Sequence, residues 1–313
     1  MTAPNPVLEL KSFSYRYKSN WLGKSTEAVK NVSLTVNSGE SFGFLGHNGA
    51  GKTTTIKSIL GLTRPSSGEV LIFGKPPTDA KVRAQLGYLP EQPYFYDHLT
   101  VSELLTMYAQ LAGVPSAQLR ERVSSTLSRV HVDHKARAQM RALSKGLTQR
   151  VAMAQAIVAN PKLLILDEPF SGLDPIGRKE FKDLLYEIKE SGTTIFISSH
   201  ILEDIEFLCD RASIMAHGEL KLVLDLSQLD RYVERKYELT LESEIPSSLE
   251  IQSLKGRVDD QGKVTRLIFD ERDDAEKALS KALQLGASIS QYRAVHGNLE
   301  ELFVKVVSVK EAT

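Results

Sequence analysis

Cysteine occurs once in the 313 residues, at Cys209, so the chain cannot close an internal disulfide; a secreted disulfide scaffold is excluded and a reducing compartment fits. Net charge is missing too, with 39 Lys and Arg against 39 Asp and Glu. Duplex nucleic-acid binders usually carry a basic excess that neutralises phosphates, so no nucleic-acid partner is expected, while nucleotides stay open as ligands. No apolar run approaches the roughly 18 residues of a spanning helix. The densest, Leu163 to Leu166, is broken at once by Asp167 and Glu168, so the chain is not expected to cross a membrane itself. The opening MTAPNPVLELKS lacks the basic and apolar regions of a secretory leader, and no internal repeat or low-complexity tract is found. What is present is ordinary globular composition, 42% hydrophobic and 25% charged, over a length that predicts two domains.

Along the chain, short β-like runs from Val7 to Phe44 end in Ser41-Phe42-Gly43-Phe44-Leu45, a strand feeding a glycine-rich loop. Beyond the loop, Ile56, Ile59 and Leu60 have helical spacing. Val101 to Leu111 and Gln118 to Val130 predict a helical subdomain over residues 93–160. Leu163 to Leu166 and Thr193 to Ser198, separated by the helical pattern Phe181 to Lys189, read as a βαβ unit with parallel strands. Near residue 228 the character changes. Tyr237 to Leu241, Val264 to Phe269 and Ser288 to Tyr292 predict strands, Asp273 to Leu285 a helix, and Leu299, Leu302, Phe303 and Val306 one face of a last helix. The expected organisation is therefore an α/β domain over residues 1–228 and a small α+β domain over residues 229–313. The segment Ser19 to Thr26, which holds the single tryptophan Trp21, reads as a surface loop.

The chemistry concentrates in a few motifs. Gly46-His47-Asn48-Gly49-Ala50-Gly51-Lys52-Thr53-Thr54 contains GxxxxGK[ST] on a strand-to-helix turn. Glycines there let backbone N–H groups close around phosphate oxygens, the helix N-terminus favours an anion, Lys52 reaches the β- and γ-phosphates, and Thr53 suits magnesium. Asp167 and Glu168 end an apolar strand, where one acid can hold magnesium and the other polarise a water in line with the γ-phosphate.

Between these motifs lies Leu143-Ser144-Lys145-Gly146-Leu147-Thr148-Gln149, which resembles the signature of ATP-binding cassette (ABC) ATPases. Ser171-Gly172-Leu173-Asp174 matches that family's D-loop and His200 its switch histidine, so five elements fall in family order over residues 7–218. Each has an ordinary alternative, as a helix cap, a turn or a packed histidine, but not all of them in this order. The resemblance implies a P-loop NTPase fold, with Glu168 and His200 catalytic and ATP held by the phosphate loop. It further implies a head-to-tail dimer in which Ser144 and Gly146 contact the partner copy's γ-phosphate and Asp174 joins the facing copy, with Gln149 and Asp174 counted among the ATP-binding residues. An aromatic stacks on adenine in this family, and Tyr17 is the matching position with Tyr15 its competitor. Magnesium would be held by Thr53, Asp167 and either Glu91 or Gln92, the two candidates for the Q-loop position. The sequence departs from the pattern at Lys145, where the family has glycine, and this variant resembles exporter ATPases with a C-terminal domain. The implied function is ATP hydrolysis driving transport through a separate integral membrane permease, with the chain cytoplasmic and peripheral at the inner face of the membrane. The alternative is a soluble ABC ATPase acting on nucleic acid or ribosomes. Three aromatics, Tyr94, Phe95 and Tyr96, follow Pro93 in a segment from Glu91 to His98 expected to be an exposed loop, its aromatics either receiving the permease or packing onto the helical subdomain. The C-terminal domain carries no comparable constellation and is expected to be structural or regulatory.

Overall fold

The computed structural model describes residues 5–18, 25–233, 235–242, 257–260 and 265–308; Ser19 to Gly23, Lys24 and Val264, which figured in the expectations above, lie outside them. The chain divides into two compact units, Met1–Leu226 and Ser227–Thr313.

In the first unit, β1 (Pro6–Lys18), β2 (Ser25–Asn37) and β4 (Ser67–Ile72) form an antiparallel sheet in the order β2-β1-β4. The phosphate-loop motif joins β3 (Ser41–Leu45) to α1 (Lys52–Ile59). A short helix α2 (Ala80–Arg83) leads to β5 (Leu86–Leu89). The helical subdomain comprises α3 (Val101–Leu111), α4 (Leu119–Arg129) and α5 (Lys145–Ile157). The remaining elements are β6 (Leu163–Asp167), α6 (Pro175–Glu190), β7 (Thr194–Ser199), α7 (Leu202–Leu208), β8 (Arg211–Ala216) and β9 (Glu219–Asp225). The second sheet runs β5-β6-β7-β3-β8-β9, parallel except for the hairpin partner β9.

β3, β6 and β7 are buried at every residue, as the near-continuous apolar runs of a parallel sheet covered on both faces require. Between the two sheets, Phe42, Phe44 and Phe196 meet Ile56 and Ile59 of α1. Phe42 and Phe196 stack with ring centroids 6.0 Å apart, and Phe44 lies 5.3 Å from Phe196. The subdomain docks closely because Gly87 of β5 has no side chain: a Cβ there would lie 2.2 Å from the carbonyl oxygen of Ala156 in α5.

The structure divides the three aromatics of the loop before α3 between the two readings. Tyr94 and Tyr96 are exposed, but Phe95 is buried and sets its ring edge-on to Tyr108 of α3 at 6.2 Å. Phe95 therefore belongs to the subdomain core, because burying a full aromatic face outweighs exposing it beside two tyrosines that carry hydroxyls to water.

In the second unit, β10 (Arg235–Leu241), β11 (Arg257–Asp260), β12 (Thr265–Phe269) and β13 (Ile289–His296) pair antiparallel in the order β11-β12-β10-β13. Leu239, Leu241, Leu267 and Phe269 meet Ala275, Ala278 and Ala282 of α8 (Arg272–Gln284), whose small side chains bring the helix close to the sheet. Thr240 and Glu238 alternate with these leucines on β10. Glu238 accepts from Arg293 Nη2 at 2.9 Å and from the Thr240 hydroxyl at 3.2 Å. Burial raises its pKa, but these bonds and the charges of Arg293 and Arg266 outweigh burial and hold the carboxyl below the usual range. In α9 (Leu299–Ser308), Leu299 and Leu302 are buried while Phe303 and Val306 are half-buried.

Phe196→Ala should lower the stability of the first unit by about 3–5 kcal/mol through lost burial and a residual cavity. Urea unfolding followed by fluorescence and circular dichroism checks this, and a loss well under 1 kcal/mol would show that the aromatic cluster is not central to the core.

Candidate functional site: a phosphate cleft at the strand ends

Parallel strands place their C-terminal ends on one edge of the sheet, where ligands of such sheets bind. Here a cleft of about 490 Å³ opens on that edge, lined among others by His47, Asn48, Gly49, Gly51, Lys52, Thr53, Thr54, Glu91, Asp167, Glu168 and His200. The sequence-predicted loop, both acids and the histidine thus come together from three separate stretches of chain.

The loop's geometry suits an anion. Gly51 is the N-cap of α1 with φ 107°, makes no side-chain cap, and is followed by a first turn without an acid, so the helix's leading N–H groups are left for a ligand. A Cβ on Gly51 would stand 2.6 Å from the Ala28 carbonyl oxygen, so glycine is required by both backbone and space. Gly46 and Ala50 lie buried beneath the loop, not on the cleft wall. The ammonium of Lys52 donates to the Gly46 carbonyl at 2.5 Å and lies 3.6 Å from Glu168 Oε1.

Glu168 follows β6 with φ 49°, left-handed and strained for a residue with a side chain, and it is almost fully buried. Its backbone N–H donates to the Ser198 carbonyl at 3.1 Å. Its Oε2 lies 2.7 Å from His200 Nδ1, and the His200 backbone N–H approaches the same oxygen at 3.3 Å. The carboxylate is thus held between a lysine and a histidine, with one edge toward the cleft.

Asp167 accepts from Ser198 Oγ at 2.5 Å. Burial, reinforced by the charge of Glu91, raises its pKa, while Ser198, Lys52 and Thr53 offset part of that rise. Burial, with Asp167 and Glu91 adding, also pushes the Tyr88 phenol up to about 12. The hydroxyl of Thr53 and the carboxylates of Asp167 and Glu91 form a set of hard oxygen donors on one wall, which fits Mg²⁺ and not a softer ion.

Tyr17 lines the cleft and exchanges a hydrogen bond with Thr54 Oγ1 at 3.0 Å. Tyr15 is not on the cleft wall; it packs edge-on against Tyr17 at 4.9 Å. Glu91 is on the wall and Gln92 is not. Four predicted residues lie away from this chain's cleft. Ser144 is the exposed N-cap of α5, accepting from the Leu147 N–H at 3.4 Å, with Gly146 in the following turn. Asp174 caps α6 by accepting from the Gly177 N–H at 2.8 Å. Gln149, expected among the nucleotide contacts, is buried and donates to the Pro169 carbonyl at 2.9 Å. That bond pins α5 to the turn after Glu168, and satisfying a buried amide is what turns Gln149 inward.

Sequence reasoning missed Ser198, and also Thr26, Glu27, Ala28, His217 and Gly218, which complete the wall. Gly218, in the turn between β8 and β9, accepts from the Lys30 N–H at 2.7 Å and donates to the Ala50 carbonyl at 3.1 Å, so this hairpin clasps the phosphate loop. No motif marks these residues.

A phosphate loop between β3 and α1, paired acids after β6 and a histidine after β7 define a P-loop ATPase core of the ABC type. The family model described as "ABC transporter" matches residues 29–171. The ABC transporter ATP-binding protein YxlF of Bacillus subtilis is 33% identical over 311 residues, covering 96% of this chain and 99% of its own. An ABC transporter ATP-binding protein of Nostoc, all4389, is 44% identical over 211 residues, covering 67% of this chain. The chain spans only 63% of that relative's length. Among solved structures, the dimeric post-hydrolysis ATP-binding cassette MJ0796 bound to ADP and Pi superposes with a TM-score of 0.65 at 26% identity, covering 70% of this chain and 98% of its own. The chain belongs to the family of ABC transporter ATP-binding proteins.

Because its raised pKa means that the fold disfavours ionised Asp167, its stability penalty is absent below the ordinary value of 3.8 and complete once pH exceeds the raised folded value. Asp167→Asn should therefore raise the urea midpoint of the nucleotide-free protein at pH 7, by the equivalent of about 1 kcal/mol. A lowered midpoint would show that the Lys52 and Ser198 contacts outweigh burial.

Proposed function

We propose that this chain hydrolyses ATP to ADP and phosphate as the ATPase subunit of an ABC exporter. It works as a head-to-tail dimer on a separate integral membrane permease, which places it in the cytoplasm against the inner face of the membrane. The observation that carries the hydrolytic part is Glu168 held by Lys52 at 3.6 Å and His200 at 2.7 Å at the mouth of a phosphate loop.

The backbone N–H groups from Gly49 to Thr53 and the Lys52 ammonium take the phosphate oxygens, and Tyr17 is placed for the adenine. Thr53, Asp167 and Glu91 would hold Mg²⁺, which supplies charge neutralisation on the phosphates. Glu168 orients a water toward the γ-phosphate, and His200 holds the oxygen of Glu168 that the water does not use. Ser144 and Gly146, presented at the start of α5, are donors suited to the γ-phosphate bound by the facing copy, and Asp174 sits at the neighbouring helix start. Lys145 in the signature and a C-terminal unit support the exporter direction; YxlF, matched over nearly the whole chain, shares that length. Among the described residues no helix is long and apolar enough to cross a membrane, which supports a translocation path in another polypeptide. Tyr94, 90% exposed, and Tyr96, 57% exposed, support the adjoining face as the permease contact.

Glu168→Gln should cut ATP turnover by about 10²-fold or more while equilibrium binding of labelled ATP stays near wild type, since the phosphate cradle is untouched. Near wild-type turnover would remove Glu168 from the role of base. Tyr94→Ala combined with Tyr96→Ala should weaken co-purification with a multi-spanning subunit from solubilised membranes without lowering thermal stability. If no membrane subunit crosslinks to the wild-type protein in cells, the soluble ABC ATPase reading replaces the exporter.

A further inference from the structure

The three segments that the proposed reaction depends on, the turn after Glu168, the start of α6 after Asp174 and the stretch after His200, meet at one side chain that no motif includes. Arg178 lies in the second turn of α6, its backbone N–H donating to the Asp174 carbonyl at 2.9 Å. Its guanidinium carbon sits 5.9 Å from the centre of the Phe170 ring, two residues beyond Glu168. Its Nη2 donates to Asp204 Oδ2 at 2.6 Å, four residues beyond His200. Asp204 is fully buried in the first turn of α7, and its other oxygen is taken by Lys182 at 2.7 Å. A buried carboxylate with both oxygens bound to cations is a fixed point, and a guanidinium reaches it with a rigid planar fork of N–H donors, where an ammonium is a compact point charge on a flexible stem.

Resting on the ATPase reading above, we propose that Arg178 is a positioning residue for hydrolysis. Through Phe170 and Asp204 it sets the distance between Glu168 and His200, and through α6 it ties that distance to the Asp174 turn that faces the partner copy. Lys182 provides the internal contrast. It neutralises the same aspartate, but the ring its ammonium lies over, at 5.4 Å, is that of Phe207 in α7. Lys182 therefore supports the ion pair without spanning the two catalytic segments.

The test uses the full chain and reads kcat, ATP affinity and thermal stability separately. Because misplacing a catalytic group by about 1 Å can cost about 10²-fold, R178A should lower kcat by about 10-fold or more, with ATP affinity within about twofold of wild type. K182A should keep kcat within about twofold. In an H200A background, adding R178A should cost little further, because both act on the same carboxylate. R178K, which keeps the charge and guards against a folding failure of R178A, should show the same loss in kcat with ATP affinity retained. The proposal is overturned if R178A or R178K turns over like wild type, if R178A and K182A lose equally, or if R178A and H200A losses multiply. Absence of turnover in the wild-type protein would overturn the ATPase reading itself, and this proposal with it.

Discussion

A carboxylate at the end of a buried strand, left-handed in its backbone and held between a lysine and a histidine, is the constraint around which the first unit is organised. Glu168 occupies its position only because β6, β7 and β3 lie side by side in parallel. Their register sets Asp167 beside Ser198 and Leu45 beside Ser199, so the loops that follow all emerge from one edge. A slip of one residue would turn every side chain on a strand to the opposite face, and the continuous burial of all three strands resists it.

Concentrating acids on that edge has a cost to folding. Asp167 ionises against burial, and burial, with the charges of Asp167 and Glu91 adding to it, pushes the Tyr88 phenol up to about 12. The aromatic cluster of Phe42, Phe44 and Phe196, on the very strands that end in the site, offsets this cost locally. The scaffold and the chemistry are thus two ends of the same three strands, and the tension between them is the usual one between stability and a charged active site.

The parts legible in the sequence were those with local causes. β3, α1, α3 and α6 follow from apolar periodicity and turn residues near each in sequence, and the phosphate loop from glycines whose backbone demands are local. α2, α7, β4, β5, β8, β9 and β11 escaped, the helices because one or two turns have little period to read, the strands because their apolar runs are short or interrupted. Gln149 was misplaced and Phe95 left open between two settings for a related reason: whether a residue on a loop or helix turns inward depends on partners such as Pro169 and Tyr108 that the neighbouring sequence does not reveal. Ser198 and His217 were invisible because their relation to the cleft is made across 31 residues or more, through the sheet. Between Tyr15 and Tyr17, which lie on one face of β1, only the Thr54 contact distinguishes the cleft residue.

The β8 to β9 hairpin has a mechanical consequence. β9 ends at Asp225, just before the second unit begins at Ser227, and Asp225 pairs with Arg211 at the far end of the ladder from the His217 turn. The chain's passage into the second unit and the Gly218 contact with the phosphate loop therefore lie at opposite ends of one hairpin, separated by roughly 20 Å of ladder. A disturbance at the domain boundary has that whole ladder between it and the loop that Gly218 clasps.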